Sequence, residues 1–302
     1  MKSADTVTKK RRRITRYTLL KWAGYACAGL AIAALAGILL FVLIRGLPHL
    51  SFHFLFGKYS SANPSVSTAL VGTLMLVFLA LIIGGPIGIM AAVFLTEYAK
   101  KGKFVNIIRL AVETLAAIPS IVYGLFGMLV FGVLFGWGHS FMGAGLTLSI
   151  MILPVIIRST EESLLAVPQS YREGAMALGA GRVRTIFRVV LPNAAGGIVS
   201  GLILAVGRII SESAALILTL GLVVRNMPTG FMSPGTSLAL NVYFFGLVSP
   251  EAAAATSVVL VILVVGLNLL AMGLGRLLSK NKGSKKKRPA RTIPMLKSGV
   301  EK

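Results

Sequence analysis

Residues 171–192 read YREGAMALGAGRVRTIFRVVLP. This stretch, Tyr171 to Pro192, is polar and basic, yet strongly apolar segments flank it on both sides. Glu, Ala, Met and Leu favour helix from about Gln169 to Leu178. Gly179 and Gly181 can end that helix by adopting left-handed backbone. A second helical run, about Val183 to Val190, leads to Pro192, which starts or kinks the next apolar segment. The expected product is a short helix, a glycine turn and a second helix returning to a membrane. Gly174, Ala175 and Ala177 give the first helix a small-residue surface, suited to a groove on another protein.

The flanks set the fold class. The chain has 302 residues, of which 56% are hydrophobic, and a mean hydropathy of +0.85. Several apolar runs exceed the roughly 18–20 residues that cross a bilayer as helix. An all-α polytopic membrane protein follows, with six spans. They are expected at about Trp22–Ile44, Thr68–Leu95, Ile107–Phe135, Gly143–Ile157, Ala194–Gly221 and Ala252–Leu278. Gly84-Gly85-Pro86 predicts a kink in the second span, and Pro119 a bend or break in the third. The first run is too long for the core of a signal peptide and reads as a retained helix. Cys27 is the single cysteine, so no disulfide forms within one chain.

The net charge of +22 points to nucleic acid only if its distribution is ignored. Eight of the 31 basic residues lie in positions 1–21 and nine in positions 280–302. Between the tails, alternate connections are rich in charge, with Lys100, Lys101 and Lys103, then Arg172, Arg182, Arg184 and Arg188, while the opposite ones hold only Arg45, Lys58 and Arg225. That pattern sets topology, placing both termini and the 158–192 loop in the cytoplasm. The basic tails contact anionic lipid or remain solvated, and both readings fit. Nucleic acid is not an expected partner.

Glu173-Gly174-Ala175, three residues, Gly179, nine residues, then Val189-Val190-Leu191-Pro192 resembles the E-A-A…G…I-x-L-P signature of permease subunits of ABC-class importers. Gly174 replaces the usual Ala and Val189 the usual Ile. The stretches GGPIGIMAAVFLTEYA, ETLAAIPSIVYGLFG, LPVIIRSTEESLLAVPQSYREGAMALGA and GRIISESAALILTLG are similar to phosphate-specific permeases, more to the PstA type than to PstC. The resemblance runs from about Thr68 to Leu278. It implies a type I permease core over 68–279, preceded by a first helix and outward loop over 22–67. It also implies that Glu173, Gly174, Ala175, Ala177, Leu178 and Gly179 form a coupling helix seated on an ATPase. The implied partners are a homologous permease, two ATPase subunits, an extracytoplasmic phosphate-binding protein and phosphate itself. ATP and Mg would belong to the ATPase. This chain carries no G-x-x-x-x-G-K-[ST] and is expected to bind no cofactor and to be no enzyme.

Ionisable groups inside a span are costly and therefore functional candidates. Arg208 and Glu212 in the fifth span, four apart on one continuous helix, would share a face and pair. Arg208 can offer a planar fork of donors to an oxyanion and keeps its charge when desolvated. Glu212 would hold Arg208 when no anion is present, or accept a hydrogen from protonated phosphate. A pair that only locks helices together fits the same spacing. Arg158 with Glu161 and Glu162 forms a second set for the substrate pathway; a topology charge fits there too. Arg109 and Glu113 repeat the spacing and read as an interfacial salt bridge. His49 and His53 lack a third ligand nearby, so no metal is expected. Gly132-x-x-x-Gly136 and Gly197-x-x-x-Gly201 permit close helix packing. Trp137 fits an interface anchor.

The expectation is thus an inner-membrane permease subunit of an ATP-driven phosphate importer. Alternatives are a permease for sulfate, molybdate or a small organic solute, and, in another class, an ion-coupled secondary transporter.

Overall fold

The computed structural model describes residues 2–60, 63–100 and 102–283. The expected lipid-facing tail lies, from residue 284 on, outside the described residues. Regular structure is helical throughout the described residues, as a chain of this apolarity requires where lipid offers no partners for backbone N–H and C=O groups. In chain order the helices are α1 (Lys2–Gly46), α2 (Phe52–Phe56), α3 (Ser67–Val93), α4 (Lys103–Ala117), α5 (Ser120–Gly127), α6 (Phe141–Leu165), α7 (Gln169–Ala177), α8 (Arg182–Thr185), α9 (Leu191–Ile210), α10 (Ala214–Thr219), α11 (Leu238–Val248) and α12 (Pro250–Gly283). Among the described residues five helices are long and apolar enough to cross a membrane, and six spans result when the bent α4–α5 pair counts as one.

Several boundaries differ from the sequence expectation. α3 continues through Pro86 and passes into a π-helical segment, Phe94–Tyr98. The third span breaks at Pro119 with a bend of 98°, because proline biases Ile118 away from helix. The Tyr123 hydroxyl donates to the Leu115 carbonyl at 2.7 Å, satisfying an acceptor released by the break. α6 extends past Ile157 to Leu165, since Arg158, Glu161 and Glu162 interrupt hydropathy without breaking helix. Arg182–Ile210 is continuous, so Pro192 lies inside a span. The π-helical turn Ile186–Val190 immediately precedes it and opens the backbone where the proline ring would crowd a carbonyl. The fifth span ends at Ile210 rather than near Gly221, and α10 is a separate helix.

The chain divides into two compact units, and the division falls inside several helices. The first holds the described residues up to 84, with 114–152 and 206–265. Its core includes Phe54, Val66, Leu238, Phe245 and Val259. The orphan N–H groups at the start of α6 are met by the end of α10 and the chain between α10 and α11. Ser140 N–H donates to the Thr219 carbonyl, Phe141 N–H to Ser233 and Met142 N–H to Phe231. α5 and α10 pack backbone to backbone, with Gly124 against Ala215.

The second unit holds 85–113, 153–205 and 266–283 among the described residues. Its clusters gather Val93, Leu164, Ile186, Val190 and Ile198, and separately Ala92, Leu95, Val105 and Ile157. Here α6 lays Ser163 and Ser159 against Gly197 and Gly201 of α9, positions where any Cβ would collide. The Gly197-x-x-x-Gly201 spacing is thus used for close helix approach.

Candidate functional site

The loop that opens the sequence reading is built by local backbone rules. Pro168 starts α7, with its fixed φ matching the cap position. Gly179 takes φ +81°; Gly179 N–H donates to Met176 O at 2.9 Å and Ala180 N–H to Ala175 O at 3.1 Å. Those two bonds are the glycine-terminated helix stop, closing carbonyls that α7 would otherwise leave open. α7 buries none of its residues. Glu173, Gly174, Ala177, Leu178 and Gly179 are exposed and Ala175 half-buried. Leu178 at 90% exposed projects farthest, with Met176 and Tyr171 also open. The expected coupling residues therefore lie together on one uncovered helix and its turn.

At the base of this loop the structure adds residues that sequence reasoning missed. Arg172 of α7 is only 14% exposed and Glu97 10%. Arg172 Nη2 donates to Glu97 Oε1 at 2.6 Å and Nε to both carboxylate oxygens at 3.2 and 3.3 Å. The same guanidinium donates to the Val167 and Leu164 carbonyls at 2.8 and 2.9 Å. Arg182 donates to the backbone carbonyl of Glu97 and lies over the Tyr98 ring at 5.3 Å. Glu97, Arg172 and Arg182 border a cavity of about 570 Å³, also lined by Met176, Thr185 and Ile186. In sequence, Arg172 reads as a topology charge, and its partner lies 75 residues away.

A second charged cleft lies in the same unit, of about 240 Å³, lined by Arg109, Glu113, Arg158, Glu161 and Glu162. The pairing differs from the expected one. Arg109 pairs with Glu161 at 3.3 Å rather than with Glu113, because α4 packs its Arg109 face beside α6. Arg158 pairs with Glu162 at 3.4 Å, both about 70% exposed, a geometry that contributes little to stability.

Arg208 and Glu212 belong to the first unit, and the expected pair does not form. The helix ends at Ile210, so Glu212 is not one turn beyond Arg208 on a common face. Its Oε1 instead accepts from Ala215 N–H at 3.0 Å and caps α10. Arg208, half-buried in the last turn of α9, joins none of the three ion pairs found among the described residues.

Residues 84–283 match the family described as the binding-protein-dependent transport system inner membrane component. The chain belongs to this family. The permease is similar to the "Probable ABC transporter permease protein YqgI" of Bacillus subtilis (strain 168), at 36% identity over 84% of this chain and 93% of that protein. It is also similar to the phosphate transport system permease protein PstA of Mycobacterium leprae (strain TN), at 38% identity over 67% of each chain. A third relative is PstA 2 of Mycobacterium tuberculosis (strain CDC 1551 / Oshkosh), at 33% identity over 86% of this chain and 87% of that one. In fold it is similar to a chain of a bacterial alginate ABC transporter solved with an alginate pentasaccharide-bound periplasmic protein. The TM-score is 0.63, with 19% identity over 86% of this chain and 96% of that one. A chain of the MetNI methionine transporter gives a TM-score of 0.56, with 22% identity over 70% of this chain and 94% of that one.

The permease is thus a PstA-like subunit of an ABC importer, multi-pass in the inner membrane, and a transport component rather than an enzyme. Membership implies an ATPase and a substrate-binding protein as partners.

Proposed function

We propose that this permease serves an importer of inorganic phosphate. It forms the translocation path with a homologous permease, and two ATPase subunits bind the ATP and Mg. An extracytoplasmic binding protein delivers the anion. Both termini and α7 face the cytoplasm, following the basic residues. The observation that carries this reading is the Arg208 guanidinium at the break between α9 and α10, in a chain whose relatives include phosphate transport system permeases. An uncommitted guanidinium beside unwound backbone suits transient binding of an oxyanion. Arg158 and Glu161 belong to the same pathway in this reading.

YqgI is named only as an ABC permease, which supports a second reading: another anion, such as sulfate or molybdate, or a small organic solute. Reconstitution of the permease with its partner permease, ATPase and binding protein separates the two. Labelled phosphate is expected to enter with ATP, and labelled sulfate to enter poorly. Equal sulfate uptake would favour the second reading. Phosphate uptake driven by an ion gradient without ATPase would overturn both.

In this reading α7 docks in a groove of the ATPase. Gly179→Val would force a β-branched residue into left-handed backbone at φ +81°, costing about 1–2 kcal/mol or more. ATPase co-purification with this variant is expected to fall sharply. Unchanged co-purification would count against a helix stopped at that residue.

A further inference from the structure

Resting on the reading of α7 as the ATPase-docked segment, we infer that the Glu97–Arg172 pair is the joint through which α7 moves the second span. Glu97 and Arg172 are then positioning residues for transport. α7 has no buried residue of its own. α7 lies against α8 and the π-helical turn Ile186–Val190, and its hydrogen-bonded ties give those contacts a fixed direction. Among the described residues, the side-chain hydrogen bonds that leave α7 come from one guanidinium. Arg172 reaches the Glu97 carboxylate, at the end of the second span, and the carbonyls of Leu164 and Val167, at the end of α6. Arg182 of α8, after the Gly179 turn, holds the same residue through the Glu97 carbonyl and lies over the neighbouring Tyr98 ring. The two helices that flank the turn, α7 and α8, therefore both converge on Glu97.

The pair is not a surface ornament. At 10–14% exposure it is weakly screened, and the two-point contact fixes orientation as well as distance. Glu97 sits in the π-helical segment Phe94–Tyr98, a wider turn that recurs at functional places in helices. The pair borders a cavity of about 570 Å³, so open space lies on one side of the joint.

The test uses the whole importer in proteoliposomes: permease, partner permease, ATPase and binding protein. Glu97→Gln, Arg172→Lys and the reversed double variant Glu97→Arg/Arg172→Glu are compared by labelled phosphate uptake per ATP hydrolysed. Ser170→Cys, on the exposed start of α7 and in a Cys27→Ser background, reports ATPase docking by cross-linking. Both single variants are expected to keep the cross-link and hydrolyse ATP while uptake per ATP falls about tenfold, the scale of coupling between sites. The double variant is expected to recover part of the loss. Arg172→Lys keeps the charge beside Glu97, so it assembles even where Glu97→Gln does not. Unchanged uptake per ATP in assembled Arg172→Lys complexes would overturn the joint. A missing cross-link in the otherwise unaltered importer would overturn the docking reading and the joint with it, whereas a present cross-link with unchanged coupling would remove the joint alone.

Discussion

Arg208→Ala is expected to abolish phosphate uptake by the reconstituted importer while the ATPase still co-purifies. Arg208 lies near the end of α9, and the carboxylate expected to neutralise it is engaged elsewhere, capping α10 through Ala215 N–H at 3.0 Å. Its fork of donors is therefore committed to no carboxylate among the described residues. Hydrogen bonds to a charged group contribute about 1.5–3 kcal/mol each, so losing a two-point contact with the oxyanion should lower uptake roughly 100-fold or more. Arg208→Lys retains the charge without the planar fork and should fall between the two. Initial rates of labelled phosphate entry decide the matter, and a wild-type rate in Arg208→Ala would remove this residue from the pathway. Arg208 makes no core contribution comparable to an aliphatic side chain, so assembly should survive the change.

The second large effect is on stability. Gly124→Val should destabilise the purified permease by roughly 3 kcal/mol or more, at the upper end of overpacking costs. A Cβ at Gly124 would stand 2.7 Å from the Ala215 Cα and 2.9 Å from its carbonyl oxygen. Backbone cannot swing aside as a flexible side chain can, so α5 and α10 must separate. Ala215 is also the residue whose N–H Glu212 caps, and separation would loosen that cap as well. Gly196, with no neighbouring atom within 4 Å of a built Cβ, supplies the contrast. Gly196→Ala in mid-helix should leave stability unchanged or raise it by up to about 1 kcal/mol. Thermal melting in detergent compares the three proteins. Equal melting of Gly124→Val and the parent would deny the backbone contact.

Some of this was legible from residues alone. Pro119 marked the break in the third span, because a proline acts on the residue before it whatever the surroundings. Gly179 marked the end of α7, because a left-handed turn needs a residue without Cβ. Two pairings were misread and a third was missed. Arg109 seemed matched to Glu113 one turn away, yet it reaches Glu161 on another helix. Arg208 and Glu212 carry helical spacing, and nothing between them forbids a helix. The chain nevertheless stops at Ile210 and restarts at Ala214, with Glu212 spent on the restart. Glu97 and Arg172 gave no signal of each other at all.

Residue order alone was enough for the membrane class, for the approximate places of the apolar helices, and for the glycine-ended helix between them. Each rests on a local quantity: the length of an apolar run against the thickness of hydrocarbon, or the backbone angles one residue tolerates. Which charge meets which became visible only in the folded chain. Helix packing selects those partners across 52 and 75 residues of chain, and periodicity along one helix carries no record of the neighbour that will lie against it.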